Sequence, residues 1–129
     1  MARQLVPANR PPYEEVVGYS RACKIGNFIE VSGTTANRVG HEPAGGNDPY
    51  LQAKDILNTI GRALEACGAT FADVIRTRVF LVRVADWEAV GRAHNEIFRE
   101  LRPASTFVEV SGLLAPDLLV EIEATAILP

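Results

Sequence analysis

The side chains able to do chemistry in this chain are mainly arginines and carboxylates. Arg76 and Arg78 alternate along one apolar stretch, and Glu121 and Glu123 along another. Residues two apart in an extended chain share a face, so each pair presents its charges together. Arg21 lies two residues beyond Tyr19 and shares its face if that stretch is extended. Only Lys24 and Lys54 are lysines, so nearly all positive charge is guanidinium. That group suits planar, paired recognition of carboxylates. The plainer role of Arg76 and Arg78 is pairing with Glu109, Glu121 or Glu123 to neutralise a sheet face. His94, between Val90 and Phe98, reads as a hydrogen-bonded core residue, although Ser20, Ser32, Ser105 or Ser111 could each serve as its nucleophile. Nothing in the spacing brings any of them to it. His41 sits in a polar loop, and no H-x-x-x-H pattern exists, so no metal site is expected. Cys23 and Cys67 form no C-x-x-C pair and read as reduced small hydrophobes. No cofactor motif is present either: the glycines at 40, 45 and 46 follow neither G-x-G-x-x-G nor the P-loop.

These residues must be positioned by a single domain spanning 1–129, since 129 residues can bury roughly two thirds of their unfolded surface. Hydrophobic residues make up 47% and charged residues 22%, a globular balance. Thirteen Lys+Arg against sixteen Asp+Glu give a net charge of −3, which argues against nucleic acid as a partner. No apolar leader and no apolar run of about 18 residues is seen, so no membrane association and a cytoplasmic location are expected.

Asp48-Pro49 reads as an N-cap followed by proline at the first helical position. Ala53, Ile56, Leu57, Ile60 and Leu64 follow at helical spacing, and Gly68 stops the helix. A second helix is expected from an Asp86 N-cap to Pro103, with Trp87, Val90, Ile97, Phe98 and Leu101 on its buried stripe. Strands are expected at 20–25 and 28–32 around a Gly26-Asn27 turn, and at 74–82, 106–110 and 119–126. The order β-β-α-β-α-β-β is that of an α+β domain with two helices on one face of a sheet. The connection 35–48 is long and could lie over a cleft as a lid.

Two helices cover only one sheet face. The other is expected to collect Arg76, Arg78 and Phe80, with Phe28, Glu30, Phe107, Glu109, Leu119, Glu121 and Glu123. Ile75, Thr77, Val79 and Leu81 would face the helices. Large apolar groups mixed with charges are suited to a subunit interface. A homo-oligomer burying this face is therefore expected.

The chain resembles the Rid family, also called YjgF or endoribonuclease L-PSP. The matching pieces are Gly18-Tyr19, Gly26-Asn27, Ser32-Gly33, the helix 53–68, Asp73-Val74, Asp86-Trp87, Pro103-Ala104, Val108-Glu109-Val110 and Val120-Glu121-Ile122-Glu123-Ala124. They run in the family's order along nearly the whole chain. The resemblance implies a chorismate-mutase-like α+β fold with a mixed sheet and a homotrimer with ligand clefts between subunits. It also implies hydrolysis of small imines or enamines, such as 2-aminoacrylate and 2-iminopropanoate, to a keto acid and ammonia. An arginine would grip the substrate carboxylate while a carboxylate or carbonyl holds the attacking water. Tyr19 and Glu121 match catalytic pocket positions, and Ser32-Gly33 would line the cleft. Imine-hydrolysing members carry an arginine after Pro-Ala; here the residue is Ser105. The ligand set expected from residues and resemblance together is Ser105, Ser32, Gly33, Arg21, Arg76, Arg78, Phe107 and His94. The alternative is a non-catalytic, ligand-binding or regulatory trimer that has lost the deaminase chemistry.

Overall fold

A computed structural model describes residues 2–129. Six strands form one sheet: β1 (Arg3–Val6), β2 (Ala22–Ile25), β3 (Phe28–Thr34), β4 (Val74–Leu81), β5 (Ala104–Glu109) and β6 (Val120–Ile127). Helices α1 (Pro49–Ala66) and α2 (Trp87–Phe98) pack together on one side. The spatial order is β1-β2-β3-β6-β4-β5, and among the described residues only the β4–β5 pair is parallel, so the sheet is mixed. The α+β architecture with both helices on one face is thus present, with β1 as an added edge strand that no sequence signal marked.

Local chemistry explains the best-defined elements. The Asp48 carboxylate accepts hydrogen bonds from the amides of Tyr50 (2.9 Å) and Leu51 (3.2 Å), satisfying two donors that a helix start leaves free. Gly68, at φ +81°, turns the chain out of α1 in the left-handed region. Ile56, Leu57, Ile60 and Leu64 of α1 are fully buried against Val79, Leu81, Val120, Ile122, Ala124 and Ala126. Burial of each such large aliphatic side chain is worth about 1.5–3 kcal/mol.

Other expectations are corrected. Asp86 occupies the expected N-cap position of α2, but its side chain bonds no helix amide; it pairs instead with Arg83 at 3.1 Å, at the end of a short 3-10 turn. Trp87 and Leu101 are exposed rather than buried, because the buried stripe of α2 is Val90, Ala93 and Phe98. Ile75 is an extra residue in β4, between Val74↔Ala126 and Arg76↔Thr125, and the bulge turns it outward. Phe107 lies opposite Val79 in the parallel pair, so it faces the helices and packs against the core rather than on the open face. Glu109 shares that side, accepting the Val84 amide at 2.7 Å. Leu119 is buried beside the Gln52 amide.

The open face of the sheet carries Leu5, Ile25, Phe28 and Val108, all exposed, around the Arg78–Glu123 pair (3.4 Å). Thr125 donates to Glu30 within it. Among the described residues no helix is long and apolar enough to cross a membrane.

Candidate functional site

Three segments far apart in sequence converge at one end of the sheet. Tyr19 and Arg21 precede β2, Ser32 and Gly33 lie near the end of β3, and Glu121 opens β6. The pairing of β3 with β6 passes from Val31↔Ala124 to Thr34↔Ile122, which leaves one extra residue in β3 at Ser32-Gly33. Such a bulge re-aims side chains and bends the strand. The Ser32 hydroxyl then donates to the Ser20 carbonyl (2.7 Å), and the Ser32 amide to the Arg21 carbonyl (2.9 Å), tying the Tyr19–Arg21 segment to β3.

Between these segments lies a cavity of ≈ 310 Å³, within the range of small-molecule sites. Tyr19, Arg21, Ser32, Gly33 and Glu121 line it, joined by Arg10. Its rim is apolar: Val17 and Leu114 are 66% and 77% exposed. Leu118, on the inner wall, is held by the neighbouring Gln52. That buried amide donates to the Gly46 (2.7 Å) and Asp117 (3.0 Å) carbonyls and accepts the Leu119 amide (3.0 Å). A fully satisfied buried amide fixes both loops at once.

Arg21 dominates the electrostatics. It is only 4% exposed, yet its guanidinium donates to neutral oxygens alone: the Gly33 carbonyl (2.8 Å), Thr34 Oγ1 (2.9 Å) and the Tyr19 hydroxyl (3.3 Å). Among the described residues it takes part in no salt bridge, and its Nε has no partner. A buried cation normally has an anion to offset its desolvation. The nearby Glu121 carboxyl has its pKa pushed up by burial and then by Glu123, while Arg21 pulls it the other way. This carboxyl lies against Gly33. A Cβ there would come within 2.8 Å of Glu121 Oε2, so the glycine makes room for it.

The other expected residues lie elsewhere in the subunit. Ser105 sits on the edge strand and its hydroxyl meets Thr77 Oγ1 at 2.7 Å; Thr77 in turn meets His94 Nε2 at 2.8 Å. Phe107 and His94 stack edge to face nearby, with ring centroids 5.8 Å apart. Within one subunit these three are therefore apart from the Tyr19–Glu121 cavity, on the helix side of the sheet. His94 is tucked against Phe98 as well, and burial lowers its pKa. Arg76 and Arg78 lie on the open face. Arg76 donates to Thr106 Oγ1 at 2.7 Å, and its Nε is buried without a partner. The connection 35–48 lends Thr35 and Asn37 to the cavity wall and is anchored by an Arg38–Asp55 bridge of 2.6 Å. Burial raises the Cys67 thiol pKa, which suits an inert thiol.

Comparison with known proteins decides the family. A family model described as Endoribonuclease L-PSP matches residues 9–128. The chain belongs to the endoribonuclease L-PSP family, the YjgF or Rid proteins. A solved structure of a YjgF/YER057c/UK114 family member, Rv2704 from Mycobacterium tuberculosis, is 42% identical with a TM-score of 0.88, covering 98% of this chain and 100% of that one. An uncharacterized protein of Streptomyces coelicolor is 41% identical over 89% of this chain and 85% of its own length. The 3-aminoacrylate deaminase RutC of Acinetobacter baylyi is 33% identical over 95% of this chain and 94% of its own length.

Arg10 in this Rid cavity and Gln52 behind its wall were not found by reading the sequence. Arg10 lies in the aperiodic segment Pro7–Pro12, and only the tertiary fold brings it beside Arg21. Gln52 sits on the apolar stripe of α1, where a polar residue at a buried position is the one available signal.

Proposed function

We propose that this Rid protein assembles as a homotrimer and hydrolyses small carboxylate-bearing enamines or imines to a carbonyl acid and ammonia. The observation that carries the reading is a buried arginine without an anionic partner, Arg21, in the same cavity as a carboxyl whose burial favours its protonated form, Glu121. Arg21 takes the role of the carboxylate clamp that Ser105 cannot fill, holding the substrate by two parallel hydrogen bonds. The relative named as a 3-aminoacrylate deaminase supports this choice, since 3-aminoacrylate is an enamine carrying a carboxylate.

The chemistry balances on one proton carrier. Protonated Glu121 gives its proton to the enamine carbon, forming an iminium. The carboxylate so formed takes a proton from water as the water oxygen bonds to the iminium carbon. Glu121 then protonates the amine nitrogen of this carbinolamine. The C–N bond breaks, ammonia leaves, and the hydroxyl proton returns to Glu121 as the carbonyl forms. A substrate that enters as the imine joins at the second step, through its protonated form. Tyr19 orients the clamp through its bond with Arg21, and a raised carboxyl pKa suits a group that must donate first and accept second.

The open sheet face, with its exposed Leu5, Ile25, Phe28 and Val108 and the partly unpartnered Arg76, is the surface that three copies bury together. In this reading the neighbouring subunit covers the apolar rim at Val17 and Leu114, and it reaches Ser105, exposed on β5 and bonded to Thr77 on the helix side, along the free edge of the sheet. Serine in place of a second guanidinium there shifts the preference away from the usual amino-acid-derived imines.

The test is turnover of 3-aminoacrylate and of 2-iminopropanoate generated in situ. Ammonia and carbonyl acid released faster than the spontaneous rate support the reading. Release at the uncatalysed rate with both overturns it in favour of a non-catalytic, ligand-binding trimer.

A further inference from the structure

Behind the catalytic cavity, on the far side of Arg10 and Arg21, a second cleft of ≈ 420 Å³ opens between the residue 6–10 segment and α1. Four guanidiniums line it: Arg10, Arg21, Arg38 and Arg62. Two carboxylates lie close enough to offset them. Asp55 bonds Arg38 at 2.6 Å, and Glu14 feels the charge of Arg21 while accepting the amides of Ala8 and Arg10, both at 2.9 Å. Glu121 also feels Arg21 but lines the other cavity, so the wall of this cleft itself carries four guanidiniums and no carboxylate. Crowding of like charges is evident at Arg10, whose pKa is lowered by burial, then by Arg21 and Arg38. Donors also remain free. Arg21 Nε is buried without a partner, on a side chain 4% exposed. Arg62 is exposed and among the described residues bonds only the Thr59 hydroxyl, at 3.2 Å.

We propose that this arginine cleft is a binding site for a phosphoryl dianion, carried by a small phosphomonoester or present as free phosphate. A lining of four guanidiniums without a carboxylate complements a dianion, and guanidinium forks match phosphate oxygens with paired hydrogen bonds. Arg10 and Arg21 line both cavities. An anion in the cleft therefore weakens capture of a substrate carboxylate next door, and the effect is reciprocal. That coupling rests on the functional reading above; the anion site does not.

The experiment is a titration of the intact protein with inorganic phosphate and, separately, glycerol 3-phosphate at constant ionic strength, followed by calorimetry and by NMR of the arginine Nε–H signals. Saturable binding is expected, with movement of the Arg21 Nε–H signal and weakening of about fivefold or more in Arg62→Gln. Binding of phosphate and ester alike identifies free phosphate as sufficient; binding of the ester alone identifies an organic phosphate. No saturable binding of either, or binding unchanged in both Arg62→Gln and Arg38→Gln, overturns the site. Turnover measured without phosphate reports separately on the catalytic cavity.

Discussion

Replacing Arg21 by glutamine removes the cation to which the proposed mechanism assigns substrate capture. The guanidinium is 4% exposed, lines the cavity and donates to three neutral oxygens, and among the described residues it takes part in no salt bridge. Truncating one partner of a buried, hydrogen-bonded charge pair costs about 2–5 kcal/mol. That corresponds to a loss of roughly 30-fold to 5,000-fold in kcat/KM for a carboxylate-bearing substrate. Arg21→Lys keeps the charge but loses the fork, and it should fall between wild type and Arg21→Gln. The assay follows carbonyl-acid formation from freshly generated 2-iminopropanoate, with urea denaturation run in parallel to establish that each variant is folded. The loss should nearly vanish for an imine of a neutral amide, which offers no carboxylate to grip. A folded Arg21→Gln protein that keeps kcat/KM within about twofold of wild type would refute the reasoning.

Other outcomes follow from the same geometry. Glu121→Gln should abolish turnover yet raise the urea midpoint at neutral pH; the folded carboxyl has the raised pKa, so the wild-type chain loses stability as pH rises above the ordinary carboxylate range and the carboxyl ionises. Gly33→Ala places a methyl within 2.8 Å of Glu121 Oε2, and the displaced carboxyl should cost roughly 100-fold in kcat with little change in thermal midpoint. Ser105→Arg should lower KM for 2-iminopropanoate by roughly tenfold; steady-state kinetics showing no change would mean that position 105 does not reach a neighbour's cavity. His94 has its pKa lowered by burial, so the unfolded chain takes up its proton first and stability falls as pH drops below about 6.5. Urea midpoints between about pH 7.5 and 5 should show this acid-side loss reduced in His94→Asn.

What could be read in advance was what the chain states locally. Asp48-Pro49 and Gly68 bound α1 through backbone chemistry that needs no partner, and the alternation of Val120, Ile122, Ala124 and Ala126 records the two faces of the central strand β6. Features set by pairing were hidden. β1 is a four-residue edge strand whose residues are mostly exposed, so it carries no hydrophobic period. The faces of Ile75 and Phe107 depend on a bulge in β4 and on the parallel register of β5, neither of which composition encodes. Within the cavity, Tyr19 and Glu121 were legible by resemblance and Arg21 by its spacing from Tyr19. Arg10 and Gln52 needed the tertiary fold. The separation of Ser105 and His94 from that cavity within one subunit follows from Ser105 pairing with Thr77, on the side of the sheet that packs against the helices.

The most direct measurement is a crystal structure of the protein with pyruvate, the keto acid that hydrolysis of 2-iminopropanoate would release. Three chains are expected around the open sheet faces, with the pyruvate carboxylate on the Arg21 guanidinium and its carbonyl carbon beside the Glu121 carboxyl. Pyruvate seated instead on Arg76 or Arg78, or a cavity left bare while Arg21 turns to a protein carboxylate, would contradict it.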